Sequence, residues 1–148
     1  MIQIDKELST AKKASLQSAK LLINQKKLVN DVISNEGRDI KLRADIESEN
    51  IIKKYIKENS DLPILAEESG ANEDLGSSFW VVDPLDGTSN YSRDFPICCI
   101  SIALIHENKI ILGVINDFNR NIIFEGSTET SAMICLLYTS DAADDDTR

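Results

Sequence analysis

Apolar residues recur at helical spacing through the first quarter of the chain. Leu8, Ala11, Ala14, Leu21, Leu22, Leu28, Val29 and Val32 fall on one face with lysines between them, which predicts a long helix over 6–34. Asn35-Glu36-Gly37 reads as its stop, with Gly37 as the helix-ending residue. The period then changes. Ile40 and Leu42 alternate with Lys41 and Arg43, predicting a short strand over 38–44. Ile51, Ile52, Tyr55 and Ile56 form the stripe of a second helix, from about Ile46 to Asn59, with Asp45 as N-cap and Ser48-Glu49 in its first turn.

Beyond a turn at Asn59-Ser60-Asp61 and Pro63, strand patterns dominate. Ile64-Leu65-Ala66 is a short strand, 70–78 a polar loop, and Phe79 to Val82 a strand stopped by Pro84. Cys98 to Ile105, Lys109 to Asn116 and Asn121 to Glu125 read as an antiparallel meander, turning at His106-Glu107-Asn108 and at 117–120. Helices first and a largely antiparallel sheet afterwards give an α/β (α+β) class.

The 148 residues, 42% hydrophobic and 28% charged, have the length and balance of one globular domain. There is no run of about 18 apolar residues and no signal-like apolar start, so no membrane association and a cytoplasmic location are expected. Cys98 and Cys99 are adjacent and Cys135 stands alone, which suggests neither a zinc motif nor a disulfide framework. A net charge of −9 argues against nucleic acid as a partner.

The acidic end departs in character from the rest. The string from Leu136 to Asp145, LLYTSDAADD, resembles a translated sequencing-adapter read-through; a natural acidic tail is the alternative. Residues 134–148 carry four acids and one base, and without them the net charge is −6. The expected division is therefore an N-terminal, metal-binding domain part over 1–133 and a non-native or disordered tail over 134–148. The C-terminal half of the domain would be absent.

Candidate chemistry sits at element ends. Asp83 and Asp86 lie three apart across the Pro84 bend, Gly87 allows a tight backbone path, and Thr88 opens a helix. Asp45, Glu67 and Glu68 fall at other element ends. Each feature alone is ordinary: a helix cap, a charged loop, a turn. Together, carboxylates beside open backbone N–H groups suggest a divalent cation next to a phosphate. Hard oxygen donors with no His or Cys cluster suit Mg²⁺ and disfavour zinc.

The stretch Phe79 to Tyr91, FWVVDPLDGTSNY, resembles the signature of the inositol monophosphatase family, WxxDPxDGTxN[FY]. Trp80, Asp83, Pro84, Asp86, Gly87, Thr88, Asn90 and Tyr91 match it. The acidic pair in Ala66-Glu67-Glu68-Ser69, the aspartate opening a helix in Ala44-Asp45-Ile46-Glu47-Ser48-Glu49, and Phe95-Pro96 match further family features in order. The resemblance covers about residues 5–133. It implies the N-terminal part of a layered αβαβα sandwich of the sugar-phosphatase type. It implies Mg²⁺-dependent hydrolysis of a phosphate monoester of a small polyol or sugar, inositol monophosphate first, by a metal-activated water. By the same resemblance Glu67, Asp83 and the Leu85 carbonyl hold a first Mg²⁺, and Asp83 and Asp86 a second. The Gly87 and Thr88 N–H groups hold phosphate oxygens. Asp45 and the Thr88 hydroxyl orient and help deprotonate the water, and Glu68 lies behind the ligands. A homodimer is compatible with the full-length form.

Related enzymes acting on 3′(2′),5′-bisphosphate nucleotides, fructose 1,6-bisphosphate or histidinol phosphate are alternatives, as is a non-catalytic divalent-ion module. Ala66 stands where the family usually has glycine. The further aspartate expected for the second metal belongs to the missing half, so this chain alone is expected to be weakly active or inactive. His106, at a hairpin turn, is not expected to be catalytic. Trp80 is expected in the core, and Tyr91 and Phe95 are expected to pack the short helix.

Overall fold

The computed structural model describes residues 1–26, 31–36 and 39–137, of which 34–36 and 39–41 by their backbone. The first helix, α1 (Ile4–Asn24), ends well short of residue 34. Gln25 N–H closes its last turn on the Leu21 carbonyl at 2.9 Å. The helical spacing carries on to Val32, but Val32-Ile33 belong to a strand instead. β1 (Val32–Glu36) pairs antiparallel with β2 (Asp39–Leu42). β-branched residues fit that ladder better than a helix continued through polar Asn24 to Lys27. Leu28, Val29 and Gly37 lie outside the described residues.

Helix α2 (Arg43–Asn59) starts earlier than its apolar stripe suggested. Leu42 occupies the N-cap and has no side-chain acceptor. Asp45, three residues in, reaches back to accept the Leu42 N–H at 2.6 Å. Asp45 is therefore not the N-cap, although it performs half of a capping box.

The remaining elements are β3 (Ile64–Ala66), β4 (Gly70–Ala71), β5 (Ser78–Asp86), α3 (Thr88–Ser92), β6 (Cys99–His106), β7 (Lys109–Asp117), β8 (Ile122–Ser127) and β9 (Met133–Leu136). They form one sheet in the order β4-β3-β5-β6-β7-β8-β9. Among the described strands of this sheet, β3 and β5 run parallel and the other pairings are antiparallel. Two strands go beyond the sequence reading. β4 lies inside the expected polar loop, and β9 extends the meander into the segment after Met133. Pro84 does not stop β5 either. It falls where the register with β6 shifts between Asp83 and Asp86, so its missing N–H costs no ladder bond.

Both long helices pack on one face of the sheet. Leu8, Ala11 and Leu22 of α1 and Ile52 and Ile56 of α2 meet Trp80, Val82, Ile100, Ile102, Leu104, Leu112, Val114 and Ile123 in one core. Trp80 is fully buried, its indole N–H donating to Ser60 Oγ at 3.2 Å. Tyr91 is also buried, and its hydroxyl donates to the Leu22 carbonyl at 2.7 Å. Phe95 does not pack as expected: it is 59% exposed, following Asp94, which takes a left-handed φ of 61°. The opposite sheet face is left open at Ile110, Ile115, Phe124 and Ile134. Among the described residues no helix is long and apolar enough to cross a membrane.

Candidate active site

The parallel pair β3–β5 creates the site. Its register sets Ala66 beside Val82, and Glu67 N–H continues the ladder to the Val82 carbonyl at 3.0 Å. The next residues on each strand, Glu67 and Asp83, therefore emerge side by side. Their carboxyls lie within hydrogen-bonding reach of each other. Partial burial, then the shared contact with Asp83, pushes Glu67 up to about 7. Burial also raises Asp83, with Asp86 and Glu68 adding like charge.

After Asp83 the chain bends inside β5. Leu85 N–H donates to Asp83 Oδ1 at 3.2 Å, an Asx-type turn that fixes the carboxylate against its own backbone. Gly87 then takes a left-handed φ of 88°. A Cβ there would lie 2.7 Å from the Ile97 carbonyl oxygen and 3.1 Å from Cys98 Cβ, so glycine is required both by conformation and by space. That bend brings Thr88 to the start of α2. Its Oγ1 lies 2.8 Å from Asp45 Oδ1 and 3.0 Å from the Leu85 carbonyl oxygen.

Asp45 is 1% exposed. Burial lifts its pKa to about 6 despite the Leu42 N–H and Thr88 hydroxyl, which favour the ionised form. Glu68 adds like charge to Asp45, Glu67 and Asp83. Asp86 sits on the outer side, its Oδ2 3.9 Å from Cys99 Sγ, above a cleft of about 530 Å³ shared with Asp117 and Arg120. Burial raises both thiols, Cys99 to about 11, so neither is a ready thiolate.

Asp45 and Thr88 are thus in contact, Glu67 and Asp83 meet at the ends of β3 and β5, and Leu85 and Gly87 lie in the bend between Asp83 and Thr88, while Asp86 faces outward. Besides burial, Asp83 and Glu68 raise Glu67, and Asp86 and Glu68 raise Asp83, a crowding of negative charge that a divalent cation would relieve. Among the described residues no three acids, histidines or cysteines are placed so that they could hold a metal ion between them. Two carboxylates, a carbonyl and open positions for water suit Mg²⁺, which is seldom held by all-protein cages. Two residues read only as first-turn helix positions, Ser48 and Glu49, are buried against the site. Their spacing three and four residues after Asp45, on the same helix face, was the available signal.

Fold and site together define an α/β protein with an all-oxygen carboxylate site where two parallel strands end. The model of the inositol monophosphatase family matches residues 1–143, and the chain belongs to that family. It is 37% identical over 106 residues to an inositol-1-monophosphatase of Synechocystis sp., covering 69% of this chain and 37% of the relative. It is 39% identical over 104 residues to a Nus factor SuhB of Xylella fastidiosa, covering 70% of this chain and 38% of that protein. Among solved structures, the inositol monophosphatase from Anabaena (Nostoc) sp. superposes with a TM-score of 0.73 at 31% identity, over 88% of this chain and 47% of that one. The chain thus spans less than half the length of each of these relatives.

Proposed function

We propose that the full-length protein, of which residues 1–133 form the N-terminal, metal-binding part, hydrolyses a phosphate monoester of a small polyol or sugar, inositol monophosphate first. The observation that carries this reading is the convergence of Glu67 and Asp83 at the ends of β3 and β5, with Thr88 2.8 Å from the buried Asp45. Glu67, Asp83 and the Leu85 carbonyl would hold one Mg²⁺. Asp83 and Asp86 would share a second with a carboxylate from beyond this chain. When bound, the ions supply Lewis-acid polarisation of the phosphoryl group and stabilise charge on the leaving oxygen.

The protein's own residues do the rest. Gly87 and Thr88 present backbone N–H groups to phosphate oxygens. The Thr88 hydroxyl and Asp45 form a hydrogen-bonded pair that orients the attacking water, and Asp45 receives its proton. A carboxylate lifted to about 6 is a better base than an ordinary aspartate and is still mostly ionised at neutral pH. Glu68 stands behind the ligands as further negative charge. With water as the attacking group, no covalent phospho-enzyme is required.

The test is Mg²⁺-dependent phosphate release by the full-length protein from inositol 1-phosphate, fructose 1,6-bisphosphate, 3′-phosphoadenosine 5′-phosphate and histidinol phosphate. Asp83→Asn and Asp86→Asn are expected to lose at least about 100-fold in turnover, in line with loss of electrostatic stabilisation, while melting cooperatively. Full activity in Asp83→Asn would end the reading. Loss of folding in both variants, with no turnover by the parent, would favour a structural ion site instead. Residues 1–148 alone are expected to turn over poorly.

A further inference from the structure

Helix α2 touches all three segments of the site, one residue at a time. Asp45 meets Thr88. Ser48, three residues on, donates its hydroxyl to the Pro84 carbonyl at 2.7 Å, inside the bend between Asp83 and Asp86. With that proton committed, Ser18 of α1 supplies the proton for the 2.5 Å Ser18–Ser48 contact. Glu49, the next residue, accepts the Glu68 backbone N–H on Oε2 at 2.8 Å. Its other oxygen lies 3.7 Å from Lys53 Nζ, and Lys53 donates in turn to Ser69 Oγ at 2.7 Å. The turn that follows β3 is thus held from α2 at two consecutive residues, Glu68 and Ser69.

We propose that Glu49 is a positioning residue for the cation site: by accepting the Glu68 N–H it fixes the turn that aims Glu67 at Asp83, and so sets the affinity for a divalent ion. This rests on the reading that Glu67 and Asp83 hold the ion.

The physical case is that a carboxylate 2% exposed is a costly way to fill space. Its two partners are the backbone immediately after Glu67 and a lysine bound to the same turn. β3 is three residues long and β4 only two, so the ladder alone gives this turn little rigidity. A cation site built from two carboxylates and a carbonyl depends on small displacements of Glu67. Partners behind a ligand commonly carry about 10–100-fold of metal affinity. The Glu49 carboxylate also adds negative charge nearby, and the two effects separate by substitution. Gln keeps an oxygen that can accept the same N–H but removes the charge; Ala removes both.

The experiment is calorimetric titration of Mg²⁺ into the metal-free full-length protein, with melting curves in chelator as the folding control. Glu49→Ala is expected to bind Mg²⁺ about 10-fold more weakly or worse. Glu49→Gln is expected to stay within about threefold of the parent, because the acceptor is preserved. Equal affinity in parent and Glu49→Ala would overturn the proposal, as would an equal loss in Glu49→Gln and Glu49→Ala. If Glu49→Ala and the bulkier Glu49→Leu both fail to fold without metal, Glu49 is a folding residue and the proposal also falls. A parent protein that takes up no Mg²⁺ would instead sink the underlying assignment of the ion to Glu67 and Asp83.

Discussion

Replacing Gly87 by alanine is the sharpest test of how the site is built. Two costs add. A residue with a Cβ at φ 88° leaves the right-handed region, which costs about 1–2 kcal/mol. The new methyl would also lie 2.7 Å from the Ile97 carbonyl oxygen and 3.1 Å from Cys98 Cβ. Neither atom is the free end of a flexible side chain, so the backbone must move, and overpacking of this kind costs about 1–3 kcal/mol. The expected loss is therefore about 2–5 kcal/mol, a large share of a typical domain's 5–15 kcal/mol. The movement would also pull Thr88 away from Asp45, so activity should fall further than stability alone explains. Urea unfolding of the metal-free full-length protein measures the first effect, and phosphate release at saturating Mg²⁺ the second. Gly113→Ala is the control. It has no atom within 4 Å and no positive φ, so it is expected to be neutral or slightly stabilising. A Gly87→Ala variant within about 0.5 kcal/mol of the parent would refute the account of this turn.

Three further outcomes follow. The folded state holds the Asp45 proton up to about pH 6, against an ordinary 3.8, so this group's contribution to metal-free stability is greatest below about pH 4 and is lost as pH rises through 6. At 1.36 kcal/mol per unit the loss is at most about 3 kcal/mol. Glu67 acts with the same sign but more weakly, being exposed to solvent. Asp45→Asn should flatten the stability profile between pH 4 and 7 in chelator; parallel profiles would contradict the assignment. Tyr91→Phe removes the 2.7 Å bond to the Leu22 carbonyl in the last turn of α1. It should cost about 1–2 kcal/mol by shifted urea midpoint at constant slope, and no shift would mean that carbonyl has another partner. Thr88→Val should reduce turnover more than Mg²⁺ affinity, because its hydroxyl contacts Asp45 and, of the proposed ligands, the Leu85 carbonyl but not the Glu67–Asp83 pair. A loss confined to Mg²⁺ affinity would reverse that role.

What could be read in advance follows the range of each interaction. The bend from Asp83 to Thr88 is local: two acids, a proline, a glycine and a hydroxyl within six residues constrain one another, and the structure keeps them together. Glu67 was legible because a strand end delivers its next residue to a predictable place, although its pairing with Asp83 depends on the parallel β3–β5 register. The first helix was over-extended because Leu28, Val29 and Val32 hold helical spacing, while the competing β1–β2 pairing involves residues whose strand pattern was assigned to one side only. The expectation that Phe95 packs the short helix fails at a left-handed Asp94, after which Phe95 is exposed. Ser48 and Glu49 were missed for a different reason. Their partners are the Pro84 carbonyl and the Glu68 N–H, backbone groups that every residue carries, so no motif at the far end announces the contact. A buried acid one turn behind a site acid, on the same helix face, is the only trace such a contact leaves in a sequence. Here that trace leads to a carboxylate whose removal should loosen the ion without touching it.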